Sequence, residues 1–206
     1  VSMGNSIGLA EGFMEAGMNK PVVATIGDGT FYHSGVSPMI NAVATGQDMP
    51  VVVLDNNWAA MTGYQSNIGT EDGEGIRIPI EKISHGLGVK SVKVVNPYRL
   101  KKTVRAYRKL LTASGVNVLI LRAPCVARQP RTWDLSVQVR ERKCPGFDGC
   151  ERTCIEALAC PAIIRDGDEV RINQEDCQSC GLCVSYCPSS AIRGNPLKIR
   201  RKKVGI

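Results

Sequence analysis

Eight of the nine cysteines of this sequence lie between residues 144 and 187, and they are the residues best suited to chemistry. Half of them follow the spacing Cys-x2-Cys-x2-Cys-x3-Cys-Pro, and these are Cys177, Cys180, Cys183 and Cys187. This spacing is typical of thiolates that hold a 4Fe–4S cluster, because three thiolates on one tight loop can reach three irons of one cubane. Gly181, within the run, permits backbone positions that a side chain would obstruct.

A looser set of cysteines lies upstream and also ends in Cys-Pro; it comprises Cys144, Cys150, Cys154 and Cys160. In two-cluster ferredoxins the fourth cysteine of each run ligates the other cluster. We therefore predict a bacterial-type two-cluster ferredoxin module, with one 4Fe–4S cluster held by Cys144, Cys150, Cys154 and Cys187. The other cluster is then held by Cys177, Cys180, Cys183 and Cys160. The alternatives are structural zinc in tetrahedral sites of four thiolates and, for the upstream set alone, a different cluster or none.

The second group of residues suited to chemistry is Gly27-Asp28-Gly29, which follows one apolar run, and Asn56, which follows the next. Such residues suit a diphosphate ligand, because proteins bind a diphosphate through Mg²⁺ and Mg²⁺ prefers oxygen ligands. Asp28 can supply a carboxylate, Asn56 an amide oxygen and Trp58 its main-chain carbonyl. Gly27 and Gly29 let the backbone approach the phosphates closely. The alternative is an Asp-Gly turn and an Asn-rich loop without a ligand.

The elements that must position these residues follow from the alternation of short apolar runs with helical patterns. Strands are predicted at 21–26, 51–54, 92–95 and 116–121, and helices at 37–44, 80–87 and 98–111, with a loop over 66–75. The fold class is α/β, with a doubly wound, mostly parallel sheet that binds ligands at the carboxyl ends of its strands. In the helix at 98–111, apolar residues recur at helical spacing among Lys and Arg, which predicts an amphipathic surface helix; they are Leu100, Val104, Tyr107, Leu110 and Leu111. Glu11 and Glu15 are expected on a surface helix.

Three regions follow from the change in composition along the 206 residues. Residues 1–125 form the diphosphate-binding domain, 126–142 a linker, and 143–206 the ferredoxin-type domain with a basic tail. Much of the net charge of +7 lies in that tail, which we interpret as a solvated terminus or as a docking site for an acidic electron carrier. No nucleic-acid recognition motif, apolar run of membrane-spanning length or secretory signal is found, so we expect a cytoplasmic protein. Cys125, alone after an apolar run, is expected to be buried rather than a ligand.

The motifs resemble those of the 2-oxoacid:ferredoxin oxidoreductases, and most closely the alpha subunits of indolepyruvate:ferredoxin oxidoreductases. The segments that carry the resemblance are Met3-Gly4-Asn5-Ser6-Ile7-Gly8, Gly27-Asp28-Gly29-Thr30-Phe31-Tyr32-His33-Ser34-Gly35, Leu54-Asp55-Asn56, Ala60-Met61-Thr62-Gly63-Tyr64-Gln65, Val94-Val95-Asn96-Pro97-Tyr98 and Ala123-Pro124-Cys125. With the cysteine-rich end, the resemblance covers nearly the whole chain.

The resemblance implies oxidative decarboxylation of an aryl pyruvate to the acyl-CoA, with electrons passing through 4Fe–4S clusters to ferredoxin. The implied cofactors are thiamine diphosphate, Mg²⁺ and two 4Fe–4S clusters, with coenzyme A as co-substrate. Near the diphosphate and thiazolium it places Thr30, His33, Met61 and Thr62, and His33 either contacts substrate or is structural. It also implies a hetero-oligomer with a beta/gamma-type subunit, and a thiamine-binding fold that is N-terminally incomplete here and lacks the activating glutamate. A different 2-oxoacid substrate, or a non-catalytic electron-transfer subunit, is the alternative.

Overall fold

The computed structural model describes residues 2–70, 76–128, 137–146, 149–150 and 154–194. The chain divides into two compact units, Val1–Cys125 and Val126–Ile206. The predicted basic tail lies outside the described residues, as do the end of the predicted 66–75 loop and the middle of the predicted linker.

The first unit is built on four parallel strands in the order β1-β2-β4-β3. Their bounds are β1 Ala24–Gly27, β2 Pro50–Asp55, β3 Ser91–Val95 and β4 Asn117–Arg122. All four match the predicted strands to within a few residues. Apolar β-branched residues fill them because both faces of such a sheet are covered.

Helices lie on both faces of this sheet. They are α1 Ser6–Glu15, α2 Asp28–Thr30, α3 Val36–Thr45, α4 Ile80–Gly86 and α5 Leu100–Leu111, with a π-helical turn at Phe31–Gly35 and a 3₁₀ turn at Ala60–Thr62. The α3 helix ends at Gly46 in the left-handed conformation, as its sequence predicts. The doubly wound α/β fold predicted for this unit is confirmed.

The two faces of the sheet carry separate cores. On one face, Ile26 and Val53 pack with residues of α1, α3 and α4, such as Ile7, Met39 and Ile80. On the other face, a smaller core joins α5 to the sheet; it comprises Val52, Val95, Ala106, Leu110 and Leu119. Alternation along β2 therefore sends Val52 to one core and its neighbours to the other.

The amphipathic surface helix predicted at 98–111 is present as α5, but only part of its apolar spacing is buried. The helix buries Ala106 and Leu110, whereas Val104, Tyr107 and Leu111 are exposed. Ala106 and Leu110 are four residues apart and face the sheet together. The exposed residues share a second stripe turned to one side of the first, so helical spacing alone could not tell which stripe meets the sheet.

Glu11 also departs from the prediction of a surface position, because it is only 8% exposed. Its carboxylate accepts hydrogen bonds from Asn41 Nδ2 at 2.5 Å and from Thr45 Oγ1 at 3.3 Å. Both partners belong to α3, which packs on α1, and a polar partner makes burial of a charged side chain tolerable.

Within its described residues, the second unit contains two small antiparallel pairs, one short α-helix and two 3₁₀ turns, Val126–Arg128 and Glu141–Lys143. The pairs and the helix are β5 Gln138–Val139 with β8 Ile192–Arg193, β6 Ile163–Asp166 with β7 Glu169–Ile172, and α6 Leu182–Tyr186. Part of the predicted linker thus belongs to the fold of this unit. Throughout the described ranges, every helix is too short or too polar to cross a membrane.

Candidate functional site

Asp28 lies at the carboxyl edge of the parallel sheet, where β1 ends. Gly27 is paired with Leu54 of β2, so Asp28 and the residues after β2 meet at this edge. The side chain is buried, with 4% of the residue exposed. Its Oδ1 accepts a 2.8 Å hydrogen bond from the Gly29 main-chain N–H, whereas its Oδ2 is buried and has no hydrogen-bond partner in the described part of the chain.

Burial raises the pKa of the Asp28 carboxyl, and the nearby Asp55 carboxylate adds to the rise. The Gly29 N–H, followed by the Asn67 side chain and the Asn57 main chain, lowers it only in part. A cation at Oδ2 would satisfy the orphan oxygen and offset the cost of the buried charge. The residues present therefore fit a Mg²⁺ ion at this position.

The loop after β2 holds the other two predicted magnesium ligands in a defined conformation. The Trp58 main-chain N–H donates to Asn56 Oδ1 at 3.0 Å, which fixes the amide while leaving that oxygen a second lone pair. Asn57 between them is left-handed, with φ 73°, and its N–H donates to Asp55 Oδ1 at 3.3 Å. Asn tolerates this conformation better than most residues.

An ion-pair network that no sequence motif indicates lies at this edge of the sheet. Arg122 Nε lies 2.6 Å from Asp55 Oδ2. Its two terminal nitrogens donate to the Glu81 carboxylate at 2.7 Å each. A signal was available, because Asp55 and Arg122 carry opposite charges at the ends of two strands that turn out to be neighbours.

The residues predicted near the thiazolium are placed as follows. Thr30 ends α2, and its Oγ1 lies 3.8 Å from Met3 Sδ. His33 is exposed in the π-helical turn, an irregularity common at functional sites. Met61 is 83% exposed, and Thr62 Oγ1 donates to Gln65 Oε1 at 2.6 Å. Their catalytic roles stay predictions.

Tyr32, beside His33, was not singled out by sequence reasoning. Its hydroxyl donates to the Ile78 main-chain oxygen at 2.6 Å. Burial, followed by the Asp55 carboxylate, raises its pKa to about 12. The phenol is therefore a neutral hydrogen-bond donor at this edge at any physiological pH.

The cysteines of the second unit fall into two groups of electrostatic neighbours. Burial raises the pKa of Cys154, and three nearby thiols raise it further; these are Cys187, Cys150 and Cys144. Burial likewise raises the pKa of Cys183 to about 12, and its neighbouring thiols are Cys180, Cys160 and Cys177. The two groups have the membership predicted for the two clusters, with the fourth cysteine of each run among the thiols of the other run.

The surroundings of these thiols suit iron–sulfur ligation. Cys154 and its three neighbouring thiols line one cavity, whose other lining residues include Val139, Ile155 and Val170. The Ala191 N–H donates to Cys187 Sγ at 3.2 Å. Burial alone would raise the pKa of Cys187, but hydrogen bonds from Ser189 and neighbouring main-chain N–H groups outweigh it and lower the pKa. Such N–H donors stabilise a ligating thiolate.

The backbone around the cysteines adopts conformations that are rare for side-chain-bearing residues. Gly181 is left-handed with φ 70°, and Ser179 has φ 53° just before Cys180. Ala159, just before Cys160, has φ 48°. Left-handed non-glycine residues concentrate at functional loops, where the surroundings hold them in place. Among the residues the structure describes, no three Cys, His, Asp or Glu side chains are arranged to hold a single metal ion.

Cys125 is half-buried rather than fully buried. Its Sγ lies 3.5 Å from the Tyr64 hydroxyl. Tyr64 belongs to the loop after β2, so the thiol packs against the same loop that carries the predicted magnesium ligands.

Two family matches account for most of the chain. Residues 1–121 match the family described as thiamine pyrophosphate enzyme, C-terminal TPP binding domain. Residues 170–193 match the 4Fe-4S binding domain. The two cofactor classes predicted from the motifs, thiamine diphosphate and iron–sulfur clusters, therefore each have a matching domain.

Relatives with a named activity are similar along nearly the whole chain. A protein of Archaeoglobus fulgidus named indolepyruvate oxidoreductase subunit IorA is 39% identical over 204 residues, which cover 94% of this chain and 32% of the relative. Proteins of the same name from Methanothermobacter marburgensis and Pyrococcus horikoshii are 39% and 37% identical, cover 94% and 93% of this chain, and match over 31% and 33% of their own length. This similarity confirms the resemblance drawn from the motifs. The chain spans about a third of the length of these relatives.

Proposed function

Because the chain belongs to the family of thiamine pyrophosphate enzymes, we propose that it forms the cofactor-binding and electron-transfer part of a 2-oxoacid:ferredoxin oxidoreductase. The observation that carries the proposal is that one chain combines a buried aspartate at the carboxyl edge of the sheet, Asp28, with two groups of four cysteines. The substrate we propose is an aryl pyruvate, because the relatives are named indolepyruvate oxidoreductase subunits.

At the sheet edge, Asp28, Asn56 and the Trp58 carbonyl hold Mg²⁺, and through it the diphosphate. The buried Asp28 Oδ2, which has no partner among the described residues, supports this assignment, since an ion there removes the cost of an unsatisfied carboxylate. Gly27 and Gly29 leave the main chain open to phosphate oxygens, and Gly27 has no described atom within 4 Å of where a Cβ would stand.

When bound, thiamine diphosphate supplies the nucleophilic carbon and the electron sink that let a 2-oxoacid lose CO₂. The chain's own residues then orient the substrate and control protons. His33, exposed in the π-helical turn, donates a hydrogen bond to the substrate oxygen. Thr30, Met61 and Thr62 shape the space around the thiazolium.

In the overall reaction one 2-oxoacid, one coenzyme A and two oxidised ferredoxins give acyl-CoA, CO₂, a proton and two reduced ferredoxins. Two 4Fe–4S clusters, when bound, would let the two electrons leave singly, since a cluster of this kind accepts one electron. We assign one cluster to Cys144, Cys150, Cys154 and Cys187, and the other to Cys177, Cys180, Cys183 and Cys160. A beta/gamma-type subunit completes the hetero-oligomer.

The test is anaerobic ferredoxin reduction by the full-length subunit with its partner subunit, coenzyme A and a panel of 2-oxoacids. We expect indolepyruvate and phenylpyruvate to be the best substrates, and Asp28→Asn to abolish turnover. Preference for pyruvate or 2-oxoglutarate would overturn the aryl assignment and retain the reaction class. Intact clusters without thiamine diphosphate binding or turnover would instead identify a non-catalytic electron-transfer subunit.

A further inference from the structure

A turn at residues 67–70, outside every motif recognised in the sequence, packs against the loop after β2 that carries Asn56, Asn57 and Trp58. Thr70, at its end, is 3% exposed. Its hydroxyl donates to the Asn57 main-chain oxygen at 2.9 Å and accepts from the Asn67 N–H at 2.7 Å. The Thr70 N–H closes the turn by donating to the Asn67 main-chain oxygen at 3.0 Å. One buried hydroxyl thus ties the turn to the loop.

The carbonyl that Thr70 holds lies between the two ligands that follow β2. Asn57 is left-handed, a conformation that is unfavourable for an L-residue and needs support from its surroundings. The peptide after Asn57 leads directly to Trp58, whose N–H in turn fixes the Asn56 amide. Rotation of that peptide would move both ligands, and the bond from Thr70 opposes the rotation.

The side chain of Asn67 faces the other half of the site. Its Oδ1 accepts from the Gly69 N–H at 2.8 Å, which fixes which way the amide points. Its Nδ2 lies 3.7 Å from where a Cβ of Gly29 would stand. That nitrogen is buried and makes no hydrogen bond of adequate geometry in the described part of the chain, although the amide is near enough to Asp28 to lower the pKa of its carboxyl.

The Asn67 donor and the Asp28 acceptor therefore lie near each other at this edge, yet neither atom makes a hydrogen bond of adequate geometry within the described residues. Each such atom costs free energy unless a ligand satisfies it. A Mg²⁺–diphosphate unit offers both missing partners, a cation for the carboxylate and an anionic oxygen for the amide N–H.

The turn is held against the helix that follows Asp28. A Cβ at Gly69 would lie 2.8 Å from Tyr32 Cε2, so the main chain rests directly on the tyrosine ring. Tyr32 is itself anchored by its bond to Ile78. Gly69 thereby lets Asn67 and Thr70 approach the site closely.

We propose that Asn67 and Thr70 belong to the cofactor site, Thr70 as a positioning residue for the Asn56 and Trp58 ligands, and Asn67 as a donor to a diphosphate oxygen. This inference rests on the function proposed above. It adds the turn at residues 67–70 to a site that the sequence motifs place on two segments, the one at Asp28 and the one at Asn56.

The experiment is calorimetric titration of thiamine diphosphate with MgCl₂ into the full-length subunit with its partner subunit, after removal of cofactor. Thr70→Val, which is isosteric, should weaken binding about fivefold, and Thr70→Ser, which keeps the hydroxyl, should bind within about twofold of wild type. Asn67→Asp keeps the acceptor for Gly69 but replaces the donor with a charge, and should weaken binding about tenfold or more.

Matched controls separate these effects from general damage. Thr103→Val removes another half-buried hydroxyl that faces main-chain oxygens. Asn96→Asp alters a side chain in the same kind of turn, with Oδ1 2.9 Å from the Tyr98 N. Both should bind like wild type.

The outcomes distinguish the two levels of the proposal. Loss of binding in Asp28→Asn together with wild-type binding in Thr70→Val and Asn67→Asp would overturn this inference alone. Equal loss in Thr70→Ser and Thr70→Val would also overturn it, because the hydroxyl would then not matter. Wild-type binding in Asp28→Asn would overturn the proposed function itself.

Discussion

Arg122 neutralises Asp55 at the carboxyl edge of the sheet, with Nε and Oδ2 2.6 Å apart. The two residues are paired across β2 and β4, so the strand register itself brings the charges together. The same guanidinium holds Glu81 with two further hydrogen bonds. Because Asp55 lies close enough to Asp28 to raise the pKa of its carboxyl, this ion pair limits the repulsion between two acids at one edge.

Replacement of Arg122 by methionine should lower the free energy of unfolding by about 2–4 kcal/mol, because two largely buried carboxylates lose their cation. Chemical denaturation followed by circular dichroism measures the change. Arg171→Met is the control, since Arg171 also pairs with two acids, Asp166 and Glu169, but is 59% exposed; it should leave the unfolding transition unchanged. An Arg122→Met protein as stable as wild type would show that the network contributes no net stability.

Glu81 should make stability depend on pH. Burial alone would raise the pKa of its carboxyl, but the hydrogen bonds from Arg122 outweigh this and hold the pKa below the ordinary value of 4.5. The folded state therefore gains stability above pH 4.5 and loses it as the pH falls through the lowered pKa. At pH 7 the free energy of unfolding of the wild-type protein should exceed that of Glu81→Gln by about 1–2 kcal/mol. This difference in stability should shrink below pH 4.5. A difference that is constant from pH 7 to pH 3 would contradict this.

At Asp28, a substitution that removes cofactor binding should make the cofactor-free protein more stable. The buried carboxylate lacks a partner at Oδ2 within the described ranges, so Asp28→Asn should stabilise the cofactor-free protein by about 0.5–2 kcal/mol. Thermal unfolding with and without thiamine diphosphate and MgCl₂ measures both effects, and the ligand should raise the midpoint of wild type but not of the variant.

Asp48→Asn is the matched control for that gain in stability. The Asp48 carboxylate is exposed and already accepts a hydrogen bond from the Gly115 N–H, so its replacement should not stabilise the protein. A cofactor-free Asp28→Asn protein that is less stable than wild type would show that the native carboxylate is adequately satisfied without a cation.

The strands and the positions of Asp28 and Asn56 could be predicted because each signal is local. A short apolar run that ends in Gly27-Asp28-Gly29 carries both the strand and the turn that follows it. The left-handed Gly46 after α3 is equally local, since one glycine ends the helix.

The parts that could not be predicted depend on contacts between residues far apart in the chain. Arg122 meets Glu81 across 41 residues, and Thr70 reaches Asn57 across 13. Neither pair has a spacing that marks it beforehand. Which face of α5 is buried could not be predicted for a related reason. Val104 and Ala106 belong to two adjacent apolar stripes, and only the position of the sheet decides which stripe is buried.

Each group of four neighbouring cysteines contains the last cysteine of the other run. Cys187 ends the downstream run, yet it is an electrostatic neighbour of Cys154, and Cys160 ends the upstream run but neighbours Cys183. Cys187→Ala and Cys154→Ala should therefore each lose one cluster, and the double variant should lose no more, with iron falling from about eight to about four per chain.

Cys187→Ala combined with Cys183→Ala should instead lose both clusters, although these cysteines are adjacent in one run. Iron and acid-labile sulfide, measured anaerobically on the full-length subunit, give the count, and Cys125→Ala, outside both groups, should retain all of it. If Cys187→Ala with Cys154→Ala lost all iron while Cys187→Ala with Cys183→Ala kept about half, each run would hold its own cluster. Zinc in place of iron and sulfide in the wild-type protein would overturn the cluster assignment altogether.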